Sequence, residues 1–286
     1  MLTTTFYNGL EWIDVYKDNS VYRRNERNIL SLDIINKYKL NDVVFFDIEC
    51  TGFNKDIDKI FSISIGKFND GVFEASVYFN AYDEEKLLRE VYSSFNRDNI
   101  CTFNGMALDI PFLNARFEKY NINKLSYTKH YDFYRMLCPY VKVLGSKGKS
   151  LKNFEMLIGI SRKDNIDGKE CRDKYFEYIK YNASKYIDEI VQHNLEDVLN
   201  LPKLFNIVSY ISANNLKRDD SILNSQQQYV KRLLNIRKLN GNIVESSVVS
   251  QKDARKLIYE LKRKNTDLDS INSIITDIKN REKLYK

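Results

Sequence analysis

The sequence predicts an α/β fold: a mixed five-stranded sheet flanked by helices, followed by a small helical module at the C-terminal end. Three stretches carry that prediction. Val43-Val-Phe-Phe-Asp-Ile-Glu-Cys50 opens with β-formers that are apolar on both faces, the pattern of a strand in the middle of a sheet. Two alternating runs, Lys59 to Phe68 and Val72 to Phe79, meet at Asn69-Asp70-Gly71, which is a strong hairpin signal. A helical repeat of apolar residues from Asp83 to Arg97 then leads to a short buried strand within Asn99 to Gly105. A strand, a crossover helix and another strand lay the last one parallel to a strand already in the sheet.

The remaining elements follow in chain order. Residues 1–40 are polar and only moderately patterned, and are expected to form an N-terminal extension packed on the main domain, with a short helix within Ser31 to Leu40. Asp83 is placed to cap its helix, whose stripe is Leu87, Leu88, Val91, Tyr92 and Phe95. Asp109 stands just before Ile110-Pro111, so it lies near a strand's C-terminal end and a helix start. Tyr127 to Met136 is expected to supply the fifth strand, with Asp132 as a hydrogen bonder at its end and His130 on the surface. Gly145 to Ser150 is a flexible basic loop without the spacing of a phosphate-binding loop. Ser150 caps a helix to Ile158, and Asp164 to Gly168 is a polar loop. Helices around Glu170 to Tyr181 and Ala183 to Leu201 follow, the second broken by Pro202 before Leu204 to Ile211. Two further helices are expected, Ser225 to Lys238 and, capped by Ser250-Gln-Lys-Asp253, Ala254 to Lys264; residues 265–286 are expected to be frayed helix or tail. The expected organisation is thus an extension (1–40), a main domain (41–212) and a basic helical module (213–286).

A chain of 286 residues is long enough for one sizeable domain and an appendage. No segment approaches the roughly 18 consecutive apolar residues that span a bilayer, so no membrane partner is expected. The N-terminus lacks the basic region and apolar core of a signal peptide. Cys50, Cys101, Cys138 and Cys171 are scattered without CxxC spacing, which argues against a zinc ribbon or a disulfide framework and for a cytoplasmic location. Net charge is +6, but from Asn214 onward 16 Lys and Arg face 9 Asp and Glu, giving +7 and leaving about −1 for the rest. Such a basic module either contacts the phosphates of a polyanion or is a solvated surface.

The chemistry-bearing residues fall in three segments. Residues i and i+2 of a strand point to the same side, so Asp47 and Glu49 project together where their strand ends. Read alone, they cap a turn as readily as they bind a cation. His193 and Asp197 are four apart on a helix and stack on one face, which alone is compatible with a solvent-facing pair. Together with Asp109, four carboxylates from three segments converge on one sheet edge. That set suits two hard divalent cations, Mg²⁺ or Mn²⁺, with His193 nearby to deprotonate an attacking water.

The order and wording of these residues resemble the DEDD 3′–5′ exonuclease superfamily, whose fold is ribonuclease-H-like, and more closely its YprB-type ribonuclease-H-like branch. The motifs are Phe46-Asp-Ile-Glu-Cys-Thr-Gly52, Phe103-Asn-Gly105 through Asp109-Ile-Pro-Phe-Leu113, and His193-Asn-Leu-Glu-Asp197, supported by Ser150-Leu-Lys-Asn-Phe-Glu155 running to Gly159 and by Asp167-Gly168. The resemblance covers residues 41–212. It implies a two-metal 3′–5′ exonuclease acting on single-stranded 3′ ends of DNA or RNA. In it Asp47 bridges both ions, Glu49 and Asp197 hold the nucleophile-side ion, Asp109 holds the leaving-group ion through water, and His193 is the base. Thr51, Asn104, Lys147 and Lys149 are the expected substrate contacts. One departure stands out: the common histidine version has one more residue between His and Asp, and His193 sits at the spacing usually filled by Tyr. Cys50 stands where Thr is usual. The alternatives are a non-catalytic nucleic-acid-binding module of the same fold and a structure-selective endonuclease. Residues 224–264 also resemble a small helix–loop–helix module found at the ends of many bacterial and phage proteins, whose use is nucleic-acid binding, partner binding or structural capping.

Overall fold

The fold is built around β4 (Val43–Cys50), whose first four side chains are completely buried because the strand is covered on both faces. In the computed structural model, residues 4–7, 10–16, 19–27, 29–239, 250–263 and 266–283 are described. They contain β1 (Thr4–Tyr7), β2 (Leu10–Tyr16), β3 (Asn19–Arg27), β4, β5 (Ile60–Asn69), β6 (Val72–Asn80), β7 (Asn99–Thr102) and β8 (Lys129–Asp132). All eight join one sheet in the order β1-β2-β3-β6-β5-β4-β7-β8. β7 and β8 run parallel to β4, and the other pairings are antiparallel, so the sheet is mixed as the sequence predicts. The five expected strands are all present. The N-terminal residues contribute three strands to the sheet edge at β6, pairing Arg27 with Val72 through to Asn19 with Asn80.

Helices cover the two sheet faces. The first unit contains α1 (Leu32–Tyr38), α2 (Glu84–Tyr92), α3 (Asp109–Lys119), α4 (Phe133–Leu137), α5 (Leu151–Leu157), α6 (Gly168–Tyr181), α7 (Ser184–Asn200) and α8 (Phe205–Ala213), with α4 running into the second. Asp83 and Ser150 cap α2 and α5 through their side chains, as their sequence positions require. Val44, Phe46 and Ile48 of β4 pack with Leu87, Leu88 and Val91 of α2 and with Phe112, Leu113 and Phe117 of α3. Strand alternation therefore sends Asp47 and Glu49 to the opposite face, where α7 lies. Gly66 of β5 lets α7 come close, since a Cβ there would meet Val198 Cγ1 at 2.7 Å.

Met136–Lys147 and Asn214–Lys286 form a second compact unit. Its helices α9 (Asn224–Ile236), α10 (Gln251–Lys262) and α11 (Leu268–Lys283) share a core of Val230, Leu234, Ala254, Leu257, Leu261, Ile271, Ile275 and Ile278. The expected tail is therefore a packed helix for most of its length. Ile271, Ile275 and Ile278 recur at i, i+4 and i+7 and give α11 an apolar stripe to bury. Among the described residues, no helix is long and apolar enough to cross a membrane.

A buried ion pair ties together the elements around the open end of β4. Arg116 of α3 donates to both carboxylate oxygens of Glu84 at 2.8 and 2.5 Å, and also to the carbonyl of Lys55 at 3.2 Å. Glu84 in turn accepts from the Ile60 amide at 2.8 Å and from the Tyr120 hydroxyl at 2.9 Å. Removing one partner leaves an unpaired buried charge, which costs roughly 3–5 kcal/mol. Arg116→Met is accordingly expected to lower the urea unfolding free energy by about that amount, and Glu84→Gln with Arg116→Met to recover part of it. Equal unfolding midpoints for wild type and Arg116→Met would show that the pair does not hold α2 to α3.

Candidate active site

The site forms where β4 outruns its neighbour. β7 pairs with β4 only from Val43 to Phe45, so the amide of Ile48 has no strand partner on that edge. Asp109, at the first turn of α3, takes its place: its Oδ1 accepts from the Ile48 N–H at 3.3 Å. On the helix-covered face, Asn194 of α7 donates to Asp47 Oδ2 at 2.9 Å and accepts from the Ser62 hydroxyl at 2.7 Å. Asn194 lies between Ile190 and Val198 on a buried stripe of α7, and a polar residue in that position needs partners. Those bonds fix the helix against the strand and bring His193 and Asp197 over the carboxylates.

Asp47, Glu49 and Asp197 offer oxygens that all lie within 4.8 Å of one another. His193 Nε2 stands 3.4 Å from Glu49 Oε1 and 3.5 Å from Asp197 Oδ2. The five residues singled out in the sequence are thus brought into one cleft of about 500 Å³. The substrate candidates fare differently. Asn104 lines the cleft, with a left-handed backbone (φ 64°) held by the bond from its N–H to Asp132. Thr51 does not line it: its hydroxyl accepts from the Lys59 amide and donates to Asp58, closing the loop after β4. Lys149 is exposed outside the lining, and Lys147 belongs to the second unit. The cleft walls instead carry Phe53, Phe103, Lys152, Lys169 and Arg172.

Sequence reasoning missed the residues behind His193. Asp164, in the polar loop before α6, accepts from His193 Nδ1 at 2.8 Å and is itself buried. Arg162 bonds Asp197 Oδ1 at 2.6 Å, Asp164 Oδ2 at 3.1 Å and both oxygens of Glu155 at 2.5 and 2.6 Å. Glu196 accepts from the amides of Lys163 and Asp164, holding that loop to α7. No spacing in the chain announces these contacts, because they join a loop to a helix about thirty residues away. His130 is also corrected: it is buried, with Nε2 2.8 Å from the Thr102 hydroxyl, because β8 packs against β7.

The electrostatics follow from four acids in one cleft, Glu49 and Asp109 buried and Asp47 and Asp197 half-buried. Burial and then Asp197, Asp109 and Glu49 raise Asp47 well above the usual carboxylate range. Burial, opposed by His193 and reinforced by Asp197, pushes Glu49 up to about 8. Asp109 rises to about 7, chiefly through burial and in spite of its hydrogen bond from Ile48. Burial lowers His193, but Asp197, Asp164 and Glu49 outweigh it and raise the imidazole to about 9. A divalent cation fits this set: the donors are hard oxygens whose repulsion it would relieve. Cys171, which also approaches Glu49 and His193, is a poor competitor because burial keeps its thiol protonated.

A family model described as the RNase_H superfamily matches residues 44–209. No curated protein matches the chain. Among solved structures, the chain is similar to the family B DNA polymerase of Pyrobaculum calidifontis (16% identity, TM-score 0.45, covering 59% of this chain and 24% of the polymerase). It is also similar to E. coli exonuclease I in complex with a 5cy-dA13 oligonucleotide (10% identity, TM-score 0.40, 59% of this chain and 42% of the other). A nuclease in its apo form is a third (13% identity, TM-score 0.40, 65% and 80%). The chain thus spans about a quarter of the polymerase and about two fifths of exonuclease I.

The raised acids make metal binding depend on pH. Glu49, ordinarily near 4.5, stays protonated in the fold up to about 8, while the unfolded chain has released that proton. Between those values the metal-free fold therefore weakens as pH rises, and a cation competes with the same proton. Mn²⁺ is expected to raise the melting temperature more at about pH 8 than at about pH 6, and to release protons on binding near pH 6.5. Identical shifts at both values would mean that these acids do not bind the ion.

Proposed function

The chain belongs to the RNase_H superfamily, and from that footing we propose that it is a metal-dependent 3′–5′ exonuclease acting on single-stranded DNA or RNA. On this reading its motif wording places it nearest the YprB-type branch, and its four free thiols suit the cytoplasm. The observation that carries the reading is the cage of Asp47, Glu49 and Asp197 oxygens within 4.8 Å, with Asp109 tied to the same strand.

Asp47, Glu49 and Asp197 would hold one divalent cation and Asp47 with Asp109 a second. Mg²⁺ or Mn²⁺ bound there supplies a more acidic attacking water and offsets charge on the phosphodiester. With cations offsetting the Glu49 and Asp197 charges, which help raise the imidazole, His193 would return toward its neutral form, able to take a water proton at Nε2, the nitrogen facing those two acids. Asp164 keeps the other nitrogen, Nδ1, engaged and so fixes which face of the ring meets the water. Asn194 holds Asp47 in position through its amide. Support for a strand as substrate comes from the walls of the cleft. Lys152, Lys169 and Arg172 offer charges for phosphates, and the rings of Phe53 and Phe103 offer faces for bases.

The test is a time course on 5′-labelled single strands of DNA and RNA of one sequence, with Mn²⁺. Wild type is expected to give a ladder shortened from the 3′ end, abolished by EDTA. Asp47→Ala should lose cleavage altogether, and His193→Ala about 10²- to 10⁴-fold. Asp164→Asn, which touches no cation-holding oxygen, should lose about 10- to 100-fold. If wild type binds the strands in a gel but never shortens them, the hydrolytic reading fails.

A further inference from the structure

Opposite the core of the second unit, α10 turns a cationic face to solvent. Lys252, Arg255, Lys256, Tyr259, Lys262 and Arg263 are all exposed, while Ala254, Leu257 and Leu261 are buried. At 100° per residue the exposed six, at i, i+3, i+4, i+7, i+10 and i+11, fall in one stripe, and the buried three lie on the other side of the helix. The stripe runs the full length of α10, about 16 Å at 1.5 Å per residue. Arg263 reaches Glu260 only at 3.9 Å, and among the described residues Lys252, Arg255, Lys256 and Lys262 have no carboxylate partner.

A face made only for solubility mixes both signs of charge, and this one does not. Its middle is Tyr259, 62% exposed, with the Arg263 guanidinium 5.6 Å from the ring centre. An aromatic face flanked by cations is how sequence-tolerant proteins hold a single strand: charges follow phosphates and a base stacks on the ring. A helix lying on a membrane would instead use its apolar side, which here is sealed in the core with α9 and α11. The stripe also lies outside residues 44–209, so the family match assigns it nothing.

We infer that the solvent face of α10 is a binding surface for single-stranded nucleic acid, with Lys252, Arg255, Lys256, Lys262 and Arg263 on phosphates and Tyr259 against a base. The surface does not depend on hydrolysis at the carboxylate cleft.

The test measures fluorescence anisotropy of a labelled oligo-dT with the full chain in EDTA, across a salt series. Lys252→Gln/Arg255→Gln/Lys256→Gln removes three charges, and the slope of log affinity against log salt should flatten by about 2, at about 0.7 per phosphate contact. Tyr259→Ala should weaken binding about tenfold with the slope unchanged. EDTA removes the cations that cleavage needs, so the measurement reads binding alone and failure of the hydrolytic reading leaves the inference intact. Unaltered affinity and slope in the triple variant, at an unaltered melting temperature, would overturn it. So would a neutral Tyr259→Ala together with equal affinity for duplex DNA, since that is a general polyanion surface. If the triple variant unfolds, Lys256→Gln and Lys262→Gln singly must each flatten the slope by about 0.7, or the inference fails.

Discussion

Carboxylates of Asp47, Glu49 and Asp197 within 4.8 Å of one another, with Asp109 in the same cleft, repel, and the surrounding architecture is what keeps them together. Three devices hold them. Asp47 and Glu49 are set by strand alternation, and Asp109 by the unpaired Ile48 amide at 3.3 Å. Asp197 is drawn to Arg162 at 2.6 Å. The guanidinium is needed because it supplies a buried positive charge beside the cluster. Glu155 at 2.5 Å and Asp164 at 3.1 Å share it, so one guanidinium serves three carboxylates. A deficit of positive charge is therefore left facing the cleft, which is the electrostatic condition for binding cations.

The fold turns that local problem into a matter of two arms. One arm is β4 with α3, clamped by the Glu84–Arg116 pair, whose carboxylate also receives the first amide of β5. The other is α7, laid on the sheet through Asn194 and allowed close by Gly66. Neither arm carries a complete site. The acids converge only when α7 packs on the face that strand alternation reserved for Asp47 and Glu49.

Much of this was legible because it depends on short-range periodicity. The strand of Asp47, the Asp-Gly hairpin and the crossover helix each declare a period of 2 or 3.6, and the i, i+4 relation of His193 to Asp197 needs only a helix. The N-terminal strands were hidden for a physical reason. β3 is Asn19-Ser-Val-Tyr-Arg-Arg-Asn-Glu-Arg27, where only Val21 and Tyr22 are apolar and buried, too few to declare a period of 2, and the rest pairs through backbone with the edge of β6. His130 was misplaced because an imidazole with one buried hydroxyl partner looks like any surface polar residue in sequence. Asp164 and Arg162 were invisible because their significance is a distance across space.

The shortened spacing between His193 and Asp197 becomes intelligible at this point. One further residue would place the histidine 500° rather than 400° around the helix from the aspartate, about 100° farther from its face. At four residues the imidazole lies on the aspartate's own face, directly among the acids, with Nε2 almost equidistant from Glu49 and Asp197. A ring so close to carboxylates would turn freely toward any of them unless its other nitrogen were engaged. Asp164 engages it at 2.8 Å, and Arg162 anchors Asp164 and Asp197 together. The loop from Arg162 to Asp164 therefore belongs to the chemistry of α7: it supplies the orientation that the helix, with this spacing, cannot give its own histidine.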